Sequence, residues 1–204
     1  MIAGRLKSSL ILAVPAFMAM IVFGIGLGVV AALKENSPLD RTIQLLSLTA
    51  IATPSFLLGS VFIYVFAVKL HWIPAAFNAI DISRFDTLET ISFFFAALVF
   101  PCITIAAEIV AHVLRQTRAS MAEELKSNYV RAAVLRGLSR SQIVLRHVLL
   151  NALLPAITVI AINVGYVIGG VVVVEFIFSY PGIGNLLLTA IITRDIPTML
   201  GTML

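Results

Sequence analysis

The sequence predicts an all-α fold, a polytopic transmembrane helical bundle, and three observations carry that reading. Hydrophobic residues make up 60% of the 204-residue chain and charged ones only 12%, far from the roughly 45–50% and 25% of soluble domains. The apolar residues fall into runs of about 20 or more, the length that crosses a hydrocarbon core of about 30 Å as a helix. The basic residues collect between those runs. In lipid every backbone amide must be satisfied within its own segment, so such runs are expected to be helices.

Taken in order, the first run extends from about Leu10 to Leu33 without a charge, and the second from about Ile43 to Val68, bounded by Arg41 and Lys69. The third spans about Ile91 to Leu114 and carries Glu108 and His112 near one end. The fourth spans about Ala152 to Val174, with Glu175 at its border. That gives about four full spans in a single transmembrane domain over residues 1–204, without internal repeat or linker. The segment from His71 to Thr90, with Trp72, Pro74, Asn78, Asp81, Arg84 and Asp86, reads as an external loop with Trp72 as an interfacial anchor. Pro54, Pro101 and Pro155 are expected to kink or start helices, and Gly165, Gly169 and Gly170 to let helices pack closely.

Positive loops stay on the cytoplasmic side. Nine of the 14 basic residues lie on one side, namely Lys34, Arg41, Arg115, Arg118, Lys126, Arg131, Arg136, Arg140 and Arg146. Arg5, Lys7, Lys69, Arg84 and Arg194 lie on the other, so the chain is expected to begin and end outside. The first apolar run is too long for the h-region of a cleaved signal and reads as a span. Cys102, the single cysteine, excludes an intramolecular disulfide and a thiolate metal cluster.

The cytoplasmic stretch from Arg115 to Leu150 has the sequence of short helices. Ser120 with Glu123 and Ser139 with Gln142 fit capping boxes, and Gly137 fits a helix stop between them. A second short helix, from about Arg140 to Leu149, sets Leu145, Val148 and Leu149 on one side as a docking face. Within the third span, Glu108 and His112 lie four residues apart with Arg115 one turn further. Ionisable groups there suit a local charge pair near the interface, the reading preferred on spacing, with a metal site or proton relay as the alternative. Glu175 is placed either to pair with Arg194 or to face a translocation path.

The run from Tyr129, YVRAAVLRGLSRSQIVLRHVLLNALLPAITVI, resembles the cytoplasmic signature of binding-protein-dependent ABC importer permeases, in particular the dipeptide, oligopeptide and nickel group. Ala132, Ala133 and Gly137 match the Ala-Ala pair and glycine of that signature, while His147, Asn151 and Pro155 match its His, Asn and Pro. A second patch, VVVVEFIFSYPGIGNLL followed by TRDIP, resembles the same group through Glu175, Pro181, Gly182, Gly184, Arg194, Asp195 and Pro197. Arg131 replaces the glutamate of the wider signature, and Leu150 a proline common before the Asn.

The resemblance implies a permease subunit of an ATP-driven importer for peptides or related small solutes such as nickel chelates. It places Arg131, Ala132, Ala133, Gly137, Leu138, Ser139, Arg140 and His147 in an ATPase-coupling loop, and the second patch in a structural role. It implies a paralogous permease as heterodimer partner, ABC ATPase subunits, an extracytoplasmic solute-binding protein, and a bacterial or archaeal cytoplasmic (inner) membrane. Nucleic acid is not an expected partner. Similar permeases carry one more span at each end, so the chain is expected to be truncated at both. It contains no G-x-x-x-x-G-K-[ST] loop to cradle nucleotide phosphates; it is thus expected to be no enzyme and to hold no cofactor, with ATP and Mg bound by a partner. The alternative is an ion-coupled secondary transporter using Glu108 and His112.

Overall fold

The computed structural model describes residues 2–74, 76 and 88–203, and the side chains of these apart from 88–96. Asn78, Asp81, Arg84 and Asp86 of the expected external loop lie outside the described residues. Those described form helices α1 (Ile2–Leu33), α2 (Pro38–Ala52), α3 (Ser55–Phe62), α4 (Leu88–Glu124), α5 (Asn128–Leu135), α6 (Arg140–Ile143), α7 (Leu149–Ile177), α8 (Ile183–Thr193) and α9 (Ile196–Met203). α3 runs on through a wider π-helical stretch, Ile63–Lys69, and α6 joins α7 through another, Val144–Val148. No strand occurs among the described residues.

Among the described residues, three helical segments are long and apolar enough to cross a membrane, Ile2–Leu33, Ala97–Glu124 and Arg140–Ile177, and the bent pair Pro38–Ala52 with Ser55–Lys69 supplies a fourth if it is one span. The expected second span is therefore broken at Pro54, which lacks an N–H to donate and opens α3 in an extended conformation, ψ 140°. Pro101 and Pro155 instead sit inside α4 and α7. Two expectations about the cytoplasmic stretch are corrected. α4 continues to Glu124, so Arg115, Arg118 and Ser120 are helical, and Ser120 caps nothing but accepts from Gln116 Nε2 at 3.1 Å. The expected short helix Arg140–Leu149 does not stop, but is the first turns of the helical segment Arg140–Ile177.

The chain divides into two compact units, Met1–Phe17 with Thr53–Ala106 and Tyr166–Leu204, and Met18–Ala52 with Ala107–Gly165. In the second unit α1 approaches α4 through Gly24 and Gly28, one turn apart. A Cβ at Gly24 would stand 2.8 Å from Val113 Cβ, and one at Gly28 2.8 Å from the Leu114 carbonyl. The expected close approach at Gly165 and Gly169 is not found, since nothing lies within 4 Å of a Cβ at either. Small residues spaced by four let helix backbones meet where lipid offers no hydrophobic drive, and here that spacing is Gly24-x-x-x-Gly28.

At the end of this contact Asp40, 2% exposed, receives Arg118 through two parallel bonds of 2.7 Å, from Nε to Oδ1 and from Nη2 to Oδ2. It also accepts from the Asn36 amide at 3.0 Å, while Ser37 Oγ accepts from the Asp40 amide at 3.2 Å. The bidentate fork is the strong form of a charge pair, and it ties the α1–α2 turn to α4. In the first unit Phe62, Phe66, Phe100 and the exposed Trp72 form an aromatic cluster, with Phe66 and Phe100 centroids 4.3 Å apart.

Candidate functional site

The α5 region is built to hold one face in and push the other out. Val130 and Ala133 of α5 pack with Ile143, Val144 and Val148 against Ala32 of α1 and Met121 of α4. Tyr129 Oη donates a hydrogen bond to Glu124 Oε2 at 2.6 Å, and burial together with that carboxylate raises the phenol above its ordinary pKa. The helix ends where Gly137 takes φ +76°, the left-handed region a side chain would strain. Its N–H reaches the Val134 carbonyl at 2.9 Å and that of Leu138 the Ala133 carbonyl at 3.2 Å, closing the orphan carbonyls in a Schellman turn. Ser139 then opens α6 with a complete capping box, its Oγ accepting from the Gln142 amide and its own amide donating to Gln142 Oε1 at 3.1 Å.

The consequence is an exposed rim. Leu135 is 89% exposed and Val134 59%, with Leu138 beside them, and Arg131, Arg136 and Arg140 around the same turn. Ala132, Gly137 and Ser139 are also exposed, and Ala133 is the buried member of the pair. His147 is exposed on the π-helical stretch, and Asn151 and Pro155 on α7 beyond it. The expected docking face of Leu145, Val148 and Leu149 is not one surface: Val148 is fully buried, Leu149 is half-buried against the same core and Leu145 points out.

The second sequence patch forms a knot. Glu175, fully buried at the end of α7, accepts from Ser9 Oγ at 2.5 Å, the Gly184 amide at 2.8 Å and the Asn185 amide at 3.1 Å. Ser9 Oγ in turn accepts from the Ile183 amide at 2.8 Å. The first amides of α8, which no residue of that helix can satisfy, thus reach a carboxylate and a hydroxyl, and the helix dipole favours the negative charge there. Tyr180 Oη donates to the Ser8 carbonyl at 3.0 Å, and burial pushes its phenol up to about 12. A Cβ on Gly182 would fall on the Glu175 carboxylate, and one on Gly184 would stand 2.6 Å from the Val172 Cα. Both glycines are therefore required by space.

Glu175 pairs neither with Arg194 nor with a path. Arg194 ends α8 in the left-handed conformation, φ 57°. Asp195 opens α9, accepting from the Thr198 amide at 3.2 Å and from its Oγ1 at 2.6 Å, which hold its carboxyl below the usual carboxylate range. Pro197 occupies the first turn of α9, where a missing N–H costs nothing. The Arg-Asp-x-Pro run is punctuation between two helices.

The Glu108, His112 and Arg115 stripe is present on α4, but no ion pair joins its members among the described residues, against the charge-pair reading. Nor do three metal-ligating side chains gather anywhere among the described residues.

Residues 24–204 match the family of binding-protein-dependent transport system inner membrane components. The chain belongs to that family. It is thus a multi-pass inner-membrane protein of a transport system. It is 35% identical over 207 residues to a putative peptide permease protein of Brucella suis biovar 1, covering 100% of this chain and 63% of the relative. A probable peptide ABC transporter permease protein of Sinorhizobium fredii is 33% identical, over 97% of this chain and 61% of the relative. The glutathione transport system permease protein of Escherichia coli K12 is 32% identical, over 97% of this chain and 60% of the relative. The chain thus spans about three fifths of the length of these relatives. Membership in this family leaves the ion-coupled carrier reading without support.

Proposed function

We propose that this chain is the translocation subunit of an ATP-driven importer for peptides or related small solutes, and that the α5–Gly137–α6 turn is its joint to a separate ATPase. The observation that carries the reading is the exposed rim of Leu135 and Val134, with arginines around the same turn, standing on a packed inner face. Apolar side chains outside a membrane span gain by burial at about 25 cal/mol per Å², and an aliphatic anchor rimmed by charge is the pattern of a docking site. Substrate class rests on the names of the relatives, two called peptide permeases and one a glutathione permease.

The partners in this reading are a paralogous permease, ABC ATPase subunits that hold ATP and Mg, and a solute-binding protein outside the membrane. This chain holds no cofactor and catalyses no hydrolysis. ATP acts on it only by favouring one of two conformations through the docked turn. The test is Gly137→Asp in the assembled complex: a side chain at φ +76° distorts the turn, and substrate-stimulated ATP hydrolysis should fall while membrane insertion is kept. Normal stimulated hydrolysis by that variant would contradict the assignment.

A further inference from the structure

α4 has two unlike faces inside its membrane-crossing segment Ala97–Glu124. One is buried, with Ile109, Val113 and Thr117 turned inward and Gly24 and Gly28 of α1 against the last two. The other carries Glu108, His112, Arg115 and Gln116, which at about 100° per residue fall within roughly a third of the helix circumference. His112 and Arg115 are exposed. Ionisable side chains on a membrane-crossing helix are costly to turn to lipid, so such groups face a bundle interior or a wet cavity.

A cleft of about 390 Å³ lies against this face, lined by Ile51 of α2, His112, Arg115, Gln116 and Ala119 of α4, and Val159 of α7. No acidic side chain lines it. Glu108 stands on the same stripe, about 10 Å from Arg115 along the axis at 1.5 Å per residue. The contrast with Arg118 is instructive. That arginine is held by both oxygens of Asp40, whereas Arg115, three residues earlier, and His112 have no ion-pair partner among the described residues. Gln116 adds an amide whose nitrogen donates to Ser120 Oγ and whose oxygen is left to face the cleft or water.

Resting on the importer reading, we infer that this face of α4 lines the aqueous translocation path and that Arg115, with His112, binds the carboxylate of the passing solute. The planar guanidinium presents paired donors that match a carboxylate bidentately, and the cleft has the size of a site for a small ligand. A phosphate headgroup would offer the same oxyanion chemistry, so the test separates the two sources.

The experiment uses the full complex in nanodiscs, open to reagent from both faces, with His112→Cys in a Cys102→Ala background. Anionic sulfonatoethyl and cationic trimethylammonioethyl methanethiosulfonate are compared, because their rate ratio reports local charge independently of thiol reactivity. The anionic reagent is expected to win by about tenfold, the low end of electrostatic steering, and adding Arg115→Gln should abolish the preference. Alanyl-alanine should slow the reaction and alanyl-alaninamide should not. Labelling no faster than at Leu154→Cys, on the exposed apolar side of α7, means the face meets lipid and overturns the inference. So does a rate ratio indifferent to Arg115, or slowing by phosphatidylglycerol and not by the dipeptide. A chain that labels as expected but purifies without an ATPase keeps the site and loses the importer reading; one that couples to an ATPase yet fails to label loses only the site.

Discussion

Two stretches of this chain carry the signatures of its family, and they are built in opposite ways. Around Gly137 the inner face is packed and the Ala133 and Val134 carbonyls are closed by the turn, yet the side chains at the tip, Leu135 and Val134, are left bare. Around Glu175 the polar groups are enclosed: a buried carboxylate, Ser9 and two glycines with no room for a Cβ lock the end of α7, the start of α8 and the first turns of α1. One is a surface held in shape, the other a lock. Residues that look equally characteristic in the sequence therefore predict different losses, binding in the first case and stability in the second.

Replacing Glu175 should have the largest effect on stability. Glu175→Leu leaves the Gly184 and Asn185 amides without their acceptor, and a buried orphan costs about 1–3 kcal/mol each. The melting temperature of the purified protein in detergent should drop sharply, with Glu175→Gln between it and the parent because the amide oxygen still accepts. Equal melting of all three would show that the knot contributes nothing. A smaller loss is expected at Gly28→Leu, since overpacking a tight contact costs about 1–3 kcal/mol, while Gly165→Leu, with open space around it, should melt like the parent. If both glycine variants behave alike, the α1–α4 contact is misplaced. Smallest of all in stability should be Leu135→Glu, whose side chain is 89% exposed.

Composition and run length made the membrane bundle legible, and the Ser139–Gln142 box and the Gly137 stop were readable because their chemistry is local. The break at Pro54 was only half legible, since proline forbids one hydrogen bond without saying whether the helix ends or bends. Ser120 misled because a Ser-x-x-Glu spacing is also an ordinary face of a long helix, and α4 runs through it. The Glu175 lock was not readable: Ser9 lies 166 residues away in sequence, and one chain pattern does not reveal which distant hydroxyl a buried acid meets. Gly24 and Gly28 did carry a signal, the small-x-x-x-small spacing within an apolar run, which was there to be read beside the glycines of α7. Arg118 and Arg115 looked identical as positive-inside residues; only the position of Asp40 separates a structural arginine from an open one.

The central claim is that the bare tip of α5 is a docking surface, and the most direct measurement is the amount of ATPase subunit that co-purifies with a tagged chain carrying Leu135→Glu. The account predicts that this variant inserts and melts like the parent but retains little or no ATPase, because a charge now sits where an apolar anchor must be desolvated. Full retention of the ATPase by a folded Leu135→Glu chain would contradict it.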